Sequence, residues 1–379
     1  MFKKSIDFIR NYYDIPEGFI PLHEPKFSGN EKLYVNDAID STYVSSVGKY
    51  VDRFEEMIRD YSGAKYAIAT VNGTAALHMS LLLAGVKKNE LVITQPLTFI
   101  STCNCVNYIG AESLFIDVDM HTMGLSASKL EKFLTEKTDV KNESCYHKQT
   151  GKRIAACVPM HTFGHPVEID KIADLCSRFN IALVEDAAES LGSRYKGQQT
   201  GTFGLLGAFS FNGNKTITCG GGGMIVTNNK EIGKLAKHLT TQAKLPHRWE
   251  FVHDYIGYNY RLPNLNAALA CAQMEKLDEF ISSKRNLSFH YEKLFAGSKI
   301  KFMKEPEYSS SNYWINCILL QDRHERDSFL NFTNENGIMT RPAWTLMNKL
   351  DMFKNYICEN IENAIELENR LVNLPSSSK

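Results

Sequence analysis

Seven short apolar runs alternate with helical segments through the middle of the chain. They occupy residues 66–70, 91–94, 113–117, 154–158, 181–184, 208–211 and 224–227. Most of these runs are continuously apolar, which is typical of strands that are buried on both faces of a sheet. The pattern predicts an α/β domain around a mostly parallel, seven-stranded sheet. In such a sheet, ligands bind at the carboxyl ends of the strands, so the residues that follow each run are the candidates for function.

The N-terminal part of the chain has a helical pattern. Its first apolar residues recur at helical spacing among charged ones, and they are Phe2, Ile6, Ile9 and Tyr13. This predicts an amphipathic helix and not a signal peptide. Further helices are predicted over 31–42 and from residue 50 to the glycine at 63.

The C-terminal third predicts a second, smaller α+β domain. Beyond about residue 264 the chain shows a long helical pattern (266–295), a strand-like run (313–320) and a further helix (325–335). The predicted domains are therefore 1–263 and 264–379. Within the first domain, the charged residues 129–152 are expected to form an exposed helix and a loop.

The composition adds few constraints on function. The 379 residues carry 43 Lys and Arg against 43 Asp and Glu, so nothing suggests a nucleic-acid or anionic-membrane partner. The nine cysteines match no zinc or disulfide spacing, which favours free thiols in a reducing compartment. No stretch has the apolar length of a membrane span. We therefore expect a cytoplasmic protein without a metal site.

One lysine, Lys215, lies between a predicted strand and four consecutive glycines, 220–223. It could be an ordinary surface lysine, or the lysine of a phosphate-binding P-loop, because Gly213-Asn-Lys-Thr216 resembles that motif. The P-loop requires glycine directly before the lysine and a helix directly after it, and both are missing here. A lysine on such a loop can instead hold pyridoxal phosphate (PLP) as a Schiff base. The glycines are expected to permit close packing against the cofactor or a partner subunit.

Two other strand ends carry residues that suit PLP. The turn at Gly73 and Thr74 opens a helix, whose free N–H groups and dipole favour a phosphate, although a simple capped helix fits equally. Asp186 ends a strand and could keep a pyridine nitrogen protonated. Paired with Glu185 it could also hold a metal, but the nearest other ligands, His161 and His165, lie on a loop.

These features together resemble a known family. Their order along the chain is that of fold-type I PLP enzymes, and the motifs resemble the DegT/DnrJ/EryC1/StrS sugar aminotransferases. The matching stretches are 72–77, 185–190, 210–215, 220–227 and 257–263.

The resemblance implies a role for each candidate site residue. Lys215 would be the Schiff-base lysine and the general base, and Asp186 would pair with the pyridine nitrogen. Phe99 would stack on the ring, and Glu189 would lie near the ring hydroxyl, where relatives often have Gln. The remaining predicted cofactor contacts are to the phosphate: Gly73, Thr74, Ala75, Ser210 and, from the neighbouring subunit, Asn259.

The resemblance also implies a reaction and a partner. It predicts a homodimer with shared active sites that moves the amino group of L-glutamate to a nucleotide-linked keto sugar. Stretches 21–30, 44–49, 340–344 and 374–377 resemble the branch that aminates C4 of 2-acetamido-4-keto-2,4,6-trideoxyhexoses for bacterial surface glycans. Another keto position or nucleotide sugar stays open. The sugar dehydratases of this fold have histidine in place of Lys215, and no DNA-binding domain supports a PLP-dependent regulator.

Overall fold

The computed structural model describes all residues from 1 to 379. Its α-helices are α1 (Phe2–Tyr13), α2 (Glu31–Asp40), α3 (Lys49–Ser62), α4 (Gly73–Leu83), α5 (Ile100–Tyr108), α6 (Ala127–Lys137), α7 (Ile169–Arg178), α8 (Lys230–Thr240), α9 (Asn264–Met274), α10 (Leu277–Phe295), α11 (Arg323–Glu335) and α12 (Glu362–Arg370).

Sixteen strands accompany these helices. They are β1 (Tyr66–Thr70), β2 (Leu91–Thr94), β3 (Glu112–Phe115), β4 (Thr138–Lys141), β5 (Ser144–His147), β6 (Arg153–Val158), β7 (Ala182–Asp186), β8 (Arg194–Tyr195), β9 (Gln198–Gln199), β10 (Leu206–Ser210), β11 (Gly223–Thr227), β12 (Lys301–Phe302), β13 (Ser309–Ser310), β14 (Asn316–Leu319), β15 (Arg341–Pro342) and β16 (Leu371–Leu374).

The central sheet contains the seven predicted strands in the order β1-β11-β10-β7-β6-β2-β3. The pairs from β10 to β3 are parallel, whereas β11 runs antiparallel to both of its neighbours, β1 and β10. Helices cover both faces: α3 and α9 pack on one face around Phe209 and Met224, and α4 and α8 pack on the other around Ile225. This arrangement explains the continuously apolar strands and confirms the predicted α/β fold.

The prediction of a loop beyond residue 137 is wrong. Strands β4 and β5 form an antiparallel hairpin, and β5 pairs with the first residues of β6, so the sheet has nine strands. Asn142 and Glu143 occupy the turn with φ values of 48° and 56°. Two positive φ values suit the twist of a tight hairpin, and asparagine tolerates that conformation. Cys145 and His147 are buried on alternate positions of β5 and anchor the hairpin.

A second sheet, ordered β12-β14-β16-β15, forms the small α+β unit. One face, with Ile318 and Val372, packs on α1, α10 and α11. The other face, with Cys317 and Leu371, contacts large-domain residues that include Phe163. The small unit is therefore packed directly over the carboxyl ends of the central strands.

The predicted boundary between residues 263 and 264 stays a prediction, but two helices pack across it. Helix α1 contributes Ile6 and Ile9 to the core of the small unit. Helix α9 packs on α2 and α3 and belongs to the large-domain core. The long helical pattern over 266–295 is in fact two helices, α9 and α10, which separate between Met274 and Leu277.

Candidate active site

Lys215 lies on the loop that follows β10, in the interior of the protein. Its side chain is 13% exposed, and its Nζ is 3.3 Å from Oε1 of Glu189. On another side, Nζ lies 4.0 Å from the ring centroid of Trp314. An ammonium group is stabilised both by a carboxylate and by the π face of an indole. The structure therefore excludes the alternative of a solvated surface lysine.

Trp314 is fixed at both ends. Its Nε1 donates to the backbone oxygen of Asn214, at 2.6 Å, directly before the lysine. Its backbone N donates to Oδ1 of Asn312, at 2.8 Å, and the amide of Asn312 donates in turn to the backbone oxygen of Glu189, at 2.9 Å. Asn214, which directly precedes Lys215, and Glu189, which contacts its Nζ, are thus held by one hydrogen-bonded network.

Asp186 is the last residue of β7 and is buried. Thr102 donates to its Oδ2 at 2.7 Å, and the backbone N of Ala188 donates to its Oδ1 at 3.2 Å. Burial raises the pKa of Asp186, while the Thr102 hydrogen bond and nearby Lys215 oppose that rise. A carboxylate oriented by two donors is suited to bind a protonated ring nitrogen.

Glu189 is buried beside Lys215. Burial raises its pKa to about 7, although the lysine and a hydrogen bond from the backbone N of Phe163 (2.9 Å) stabilise the carboxylate. Phe163 itself has a φ of 55°, in the left-handed region. The raised pKa means that Glu189 can act as a hydrogen-bond donor or acceptor near neutral pH.

The first turn of α4 is a candidate phosphate site. The side chain of Asn72 caps the helix by accepting from the backbone N of Ala75 at 2.7 Å. The N–H groups of Gly73 and Thr74 precede the first intrahelical bond and stay open to an anion. The N–H of Ala75, in contrast, is used by the cap, so the predicted phosphate contact of Ala75 requires the cap to open. Thr74 Oγ1 donates to Ser101 at 3.1 Å.

The glycine run packs against this turn. A Cβ at Gly223 would lie 2.3 Å from the backbone oxygen of Asn72, and a Cβ at Gly73 would lie 2.7 Å from Cβ of Ser210. Ser210 and Gly223 are also paired between β10 and β11. The four glycines were expected to face the cofactor or a partner; Gly223 instead lets strand β11 approach the turn of its own chain. No helix follows Lys215, so the P-loop geometry is absent.

Two further predicted contact residues are exposed. Phe99 immediately precedes α5, is 47% exposed, and meets Trp344 edge to face at 6.1 Å. Asn259 is exposed and forms a backbone bridge with Thr241. Its place on a neighbouring subunit's phosphate stays a prediction.

The alternative use of the paired acids as metal ligands finds no support. Glu185 accepts from the backbone N atoms of Gly201, Phe203 and Gly204, each at 2.7 Å, and lies 3.1 Å from Nε2 of the buried His161. Its carboxylate is thus fully engaged in holding a loop. No three His, Cys, Asp or Glu side chains are grouped as a metal site would need.

A model of the DegT/DnrJ/EryC1/StrS aminotransferase family matches residues 25–379. The chain belongs to this family. It is a PLP-dependent aminotransferase, and the buried Asp186, the interior Lys215 and the open turn at Gly73 are a donor set that fits this cofactor. The resemblance found in the sequence is thereby confirmed.

Individual relatives extend the comparison. The chain is 38% identical to the GDP-perosamine synthase of Escherichia coli O157:H7 over 94% of this chain and 93% of that one. It is 34% identical to the GDP-perosamine synthase of Vibrio cholerae over 94% of both. The solved E. coli GDP-4-keto-6-deoxy-D-mannose-3-dehydratase with bound hydrated PLP superposes with a TM-score of 0.84, at 22% identity over 95% of each chain.

Sequence reasoning missed several neighbours of the site. Thr102 and Trp314 lie 84 and 100 residues from Asp186 and Asn214, the groups that they bind. No local motif marks either residue, since only the tertiary fold brings them to the site.

A cavity of about 710 Å³, near Asp119 and Tyr308, contains none of the predicted site residues. No helix in the structure has the length and apolar character that crossing a bilayer would take.

Proposed function

We propose that the protein transfers the amino group of L-glutamate to C4 of a nucleotide-linked 4-keto-6-deoxy sugar of the 2-acetamido type. The proposal rests above all on the geometry at Lys215, whose Nζ lies 3.3 Å from Glu189, close to the buried Asp186. GDP-perosamine synthases, named for a 4-amino sugar, are related to the chain over nearly its whole length and support amination at C4. The 2-acetamido group rests on the stretches at 21–30, 44–49, 340–344 and 374–377.

The proposed roles follow from these positions. Bound PLP supplies an electron sink for the carbanion that forms when a proton leaves the substrate carbon. Lys215 holds the cofactor and then moves that proton, and Asp186 keeps the ring nitrogen protonated. Glu189 hydrogen-bonds to the ring hydroxyl, and Phe99 covers the ring. Gly73, Thr74 and Ser210 bind the phosphate, and Ala75 joins them once the Asn72 cap opens.

The proposed assembly is a homodimer in which Asn259 reaches the phosphate of the other subunit. The segment 245–256 next to Asn259 has exposed apolar side chains, among them Phe251 and Ile256, the latter 87% exposed. Exposed apolar patches of this kind mark protein–protein contacts. A second copy of the chain would cover these side chains and complete the site.

Reduction with borohydride tests the cofactor site. PLP-loaded enzyme is reduced, digested and mapped by mass spectrometry, with Lys215→Ala as the matched control. We expect a pyridoxyl group on the peptide that contains Lys215 and none in the variant. A label on another lysine would overturn the assignment of Lys215.

Product analysis tests the substrate. The enzyme is incubated with [15N]glutamate and, in parallel, with UDP- and GDP-linked 4-keto-6-deoxy sugars that carry either 2-acetamido or 2-hydroxy groups. We expect 15N at C4 of a 2-acetamido sugar by NMR, with the nucleotide read from the faster reaction. Faster amination of the 2-hydroxy sugar would instead give a perosamine-type activity. Loss of a hydroxyl group from the sugar without incorporation of 15N would mean a dehydratase, for which the presence of Lys215 is unfavourable.

A further inference from the structure

Two of the stretches that resemble the 2-acetamido branch, 21–30 and 374–377, meet at one buried lysine. Lys284 on α10 is completely buried. Its Nζ donates to the backbone oxygens of Trp314, at 3.1 Å, and Ser376, and lies 2.7 Å from Nε2 of His23. His23 belongs to the stretch 21–30, and Ser376 belongs to the stretch 374–377.

Lys284 has no carboxylate among its partners. Burial lowers its pKa far below the usual value, and burial together with Lys284 and Lys215 also lowers the pKa of His23. Isolating a lysine from water without a counterion is costly, so an apolar residue would serve better if this position had only to fill space. The residue is instead suited to joining three polar groups that no apolar side chain can join.

Hydrogen bonds join the N-terminal and C-terminal segments next to this lysine. Ser376 donates its backbone N to the oxygen of Leu22 at 2.7 Å, and Glu24 donates its backbone N to Ser377 Oγ at 2.8 Å. The hydroxyl of Ser376 accepts from the backbone N of Asn316 at 2.8 Å. Both ends of the chain are therefore tied to the start of β14, two residues after Trp314.

Trp314 connects Lys284 to the reacting lysine, Lys215. Lys284 binds its carbonyl oxygen, Asn214 binds its indole N–H, and the ring lies 4.0 Å from Nζ of Lys215. A shift of the backbone at Trp314 would thus move the indole against Lys215. Displacements of about 1 Å near a reacting group can cost roughly a hundredfold in rate.

We propose that Lys284 is a positioning residue for amino transfer, which fixes the indole of Trp314 against Lys215 by joining the N-terminal and C-terminal segments beneath it. The inference rests on the proposed function of Lys215. The His23 Nδ1 is shielded from solvent and has no hydrogen-bond partner, so the contact with Lys284 is the only hydrogen bond of this imidazole. The stretches 21–30 and 374–377 would then act on the reaction through Lys284 and Trp314.

The test compares Lys284→Met with Lys293→Met, an exposed lysine on the same helix. Both PLP-loaded variants are measured for kcat, for KM of glutamate and for the rate at which cofactor-free enzyme captures PLP, followed by absorbance. For Lys284→Met we expect kcat and the capture rate to fall about tenfold or more, with KM within about threefold. Lys293→Met should behave as the wild type. A wild-type kcat and capture rate in Lys284→Met would overturn the proposal.

A double-mutant cycle separates positioning from a general loss of stability. Trp314→Leu and Lys284→Met should each lower kcat, and the double variant should be no more than about threefold worse than the poorer single variant. Effects that multiply would contradict the inference, because the two residues would then act independently. If Lys284→Met does not fold, His23→Leu removes one of the three contacts; it should lower kcat about threefold at unchanged KM, and an unchanged kcat would overturn the proposal.

Reductive labelling distinguishes the two possible failures. If the wild type is not labelled at Lys215, the proposed function itself is wrong. If it is labelled, and Lys284→Met captures PLP at the same rate with the same kcat, only the role of Lys284 is wrong.

Discussion

Two parts of the candidate site are built in opposite ways. Around Lys215, the side chains of Glu189 and Trp314 are buried and hydrogen-bonded within the same chain. Around Asn259, the chain presents an exposed side chain and the apolar, solvent-facing segment 245–256. The groups proposed for proton transfer are thus pre-organised by one chain, whereas the segment around Asn259 is left exposed by its own chain. This contrast separates residues that should affect chemistry from residues that should affect assembly.

The largest expected effect is at the buried part of the site. Lys215→Ala should lower turnover by about a thousandfold or more, because it removes both the anchor of the cofactor and the proposed base. Amino transfer followed by NMR measures the effect, and Lys230→Ala, an exposed lysine at the start of α8, is the control. An active Lys215→Ala variant would show that the pre-organised part of the site is not where proton transfer occurs.

The next largest loss of activity is expected for Asp186→Asn. Asparagine keeps the shape of the side chain and can still accept from Thr102, but it loses the negative charge that holds a proton on the ring nitrogen. We expect kcat to fall about a hundredfold, comparable to the loss of one charge-stabilising group in other enzymes. Borohydride should still label Lys215 in this variant. Nearly normal kcat would mean that Asp186 does not bind the ring nitrogen.

The exposed segment should respond differently. Phe251→Glu combined with Ile256→Glu places charges in the apolar surface, and we expect a dimer to dissociate to a 42.9 kDa monomer in analytical ultracentrifugation. PLP affinity should fall with it, since Asn259 could no longer reach a second subunit. Val140→Glu, at an exposed apolar position on β4, is the matched control. A double variant that remains dimeric with normal PLP affinity would place the interface elsewhere.

The last prediction concerns the pH dependence of stability and not activity. Burial raises the pKa of Glu189 to about 7, so the folded protein takes up a proton there that an unfolded chain, with a pKa near 4.5, does not bind at neutral pH. This group therefore favours folding least above pH 7 and most below pH 4.5, and stability decreases as the pH rises through that window. Glu189→Gln should remove this dependence, changing the difference between pH 5 and pH 8 by up to about 3 kcal/mol. Urea unfolding of cofactor-free enzyme at several pH values measures it; parallel pH profiles of variant and wild type would refute the assignment.

Patterns along the chain predicted the parts of the structure that depend on local sequence. The seven apolar runs became the seven central strands, and Lys215 and Asp186 came close together because both follow strand ends at the same edge of the sheet. The hairpin of β4 and β5 was missed because its charged residues hide the alternate burial of Cys145 and His147. The turn residue Asn142 was the available signal.

Other features of the site could not be read from the sequence at all. The bond from Thr102 to Asp186 and the contact of Trp314 with Lys215 join distant segments, and neither residue type is unusual where it stands. The cap from Asn72 to Ala75 is local, yet only the geometry shows that it occupies an N–H expected to bind phosphate. The sequence did not predict contacts that depend on how two separately predicted elements pack together.

The close approach of Gly73, Ser210 and Gly223 limits how this protein can change during evolution. Each of the two glycines touches atoms that a single added carbon would displace, and Ser210 lies between them. An added Cβ at Gly73 would have to displace the side chain of Ser210, and one at Gly223 would have to displace the backbone of Asn72. New specificities in this lineage are therefore expected to arise from the segments around the site, while the two glycines stay unchanged.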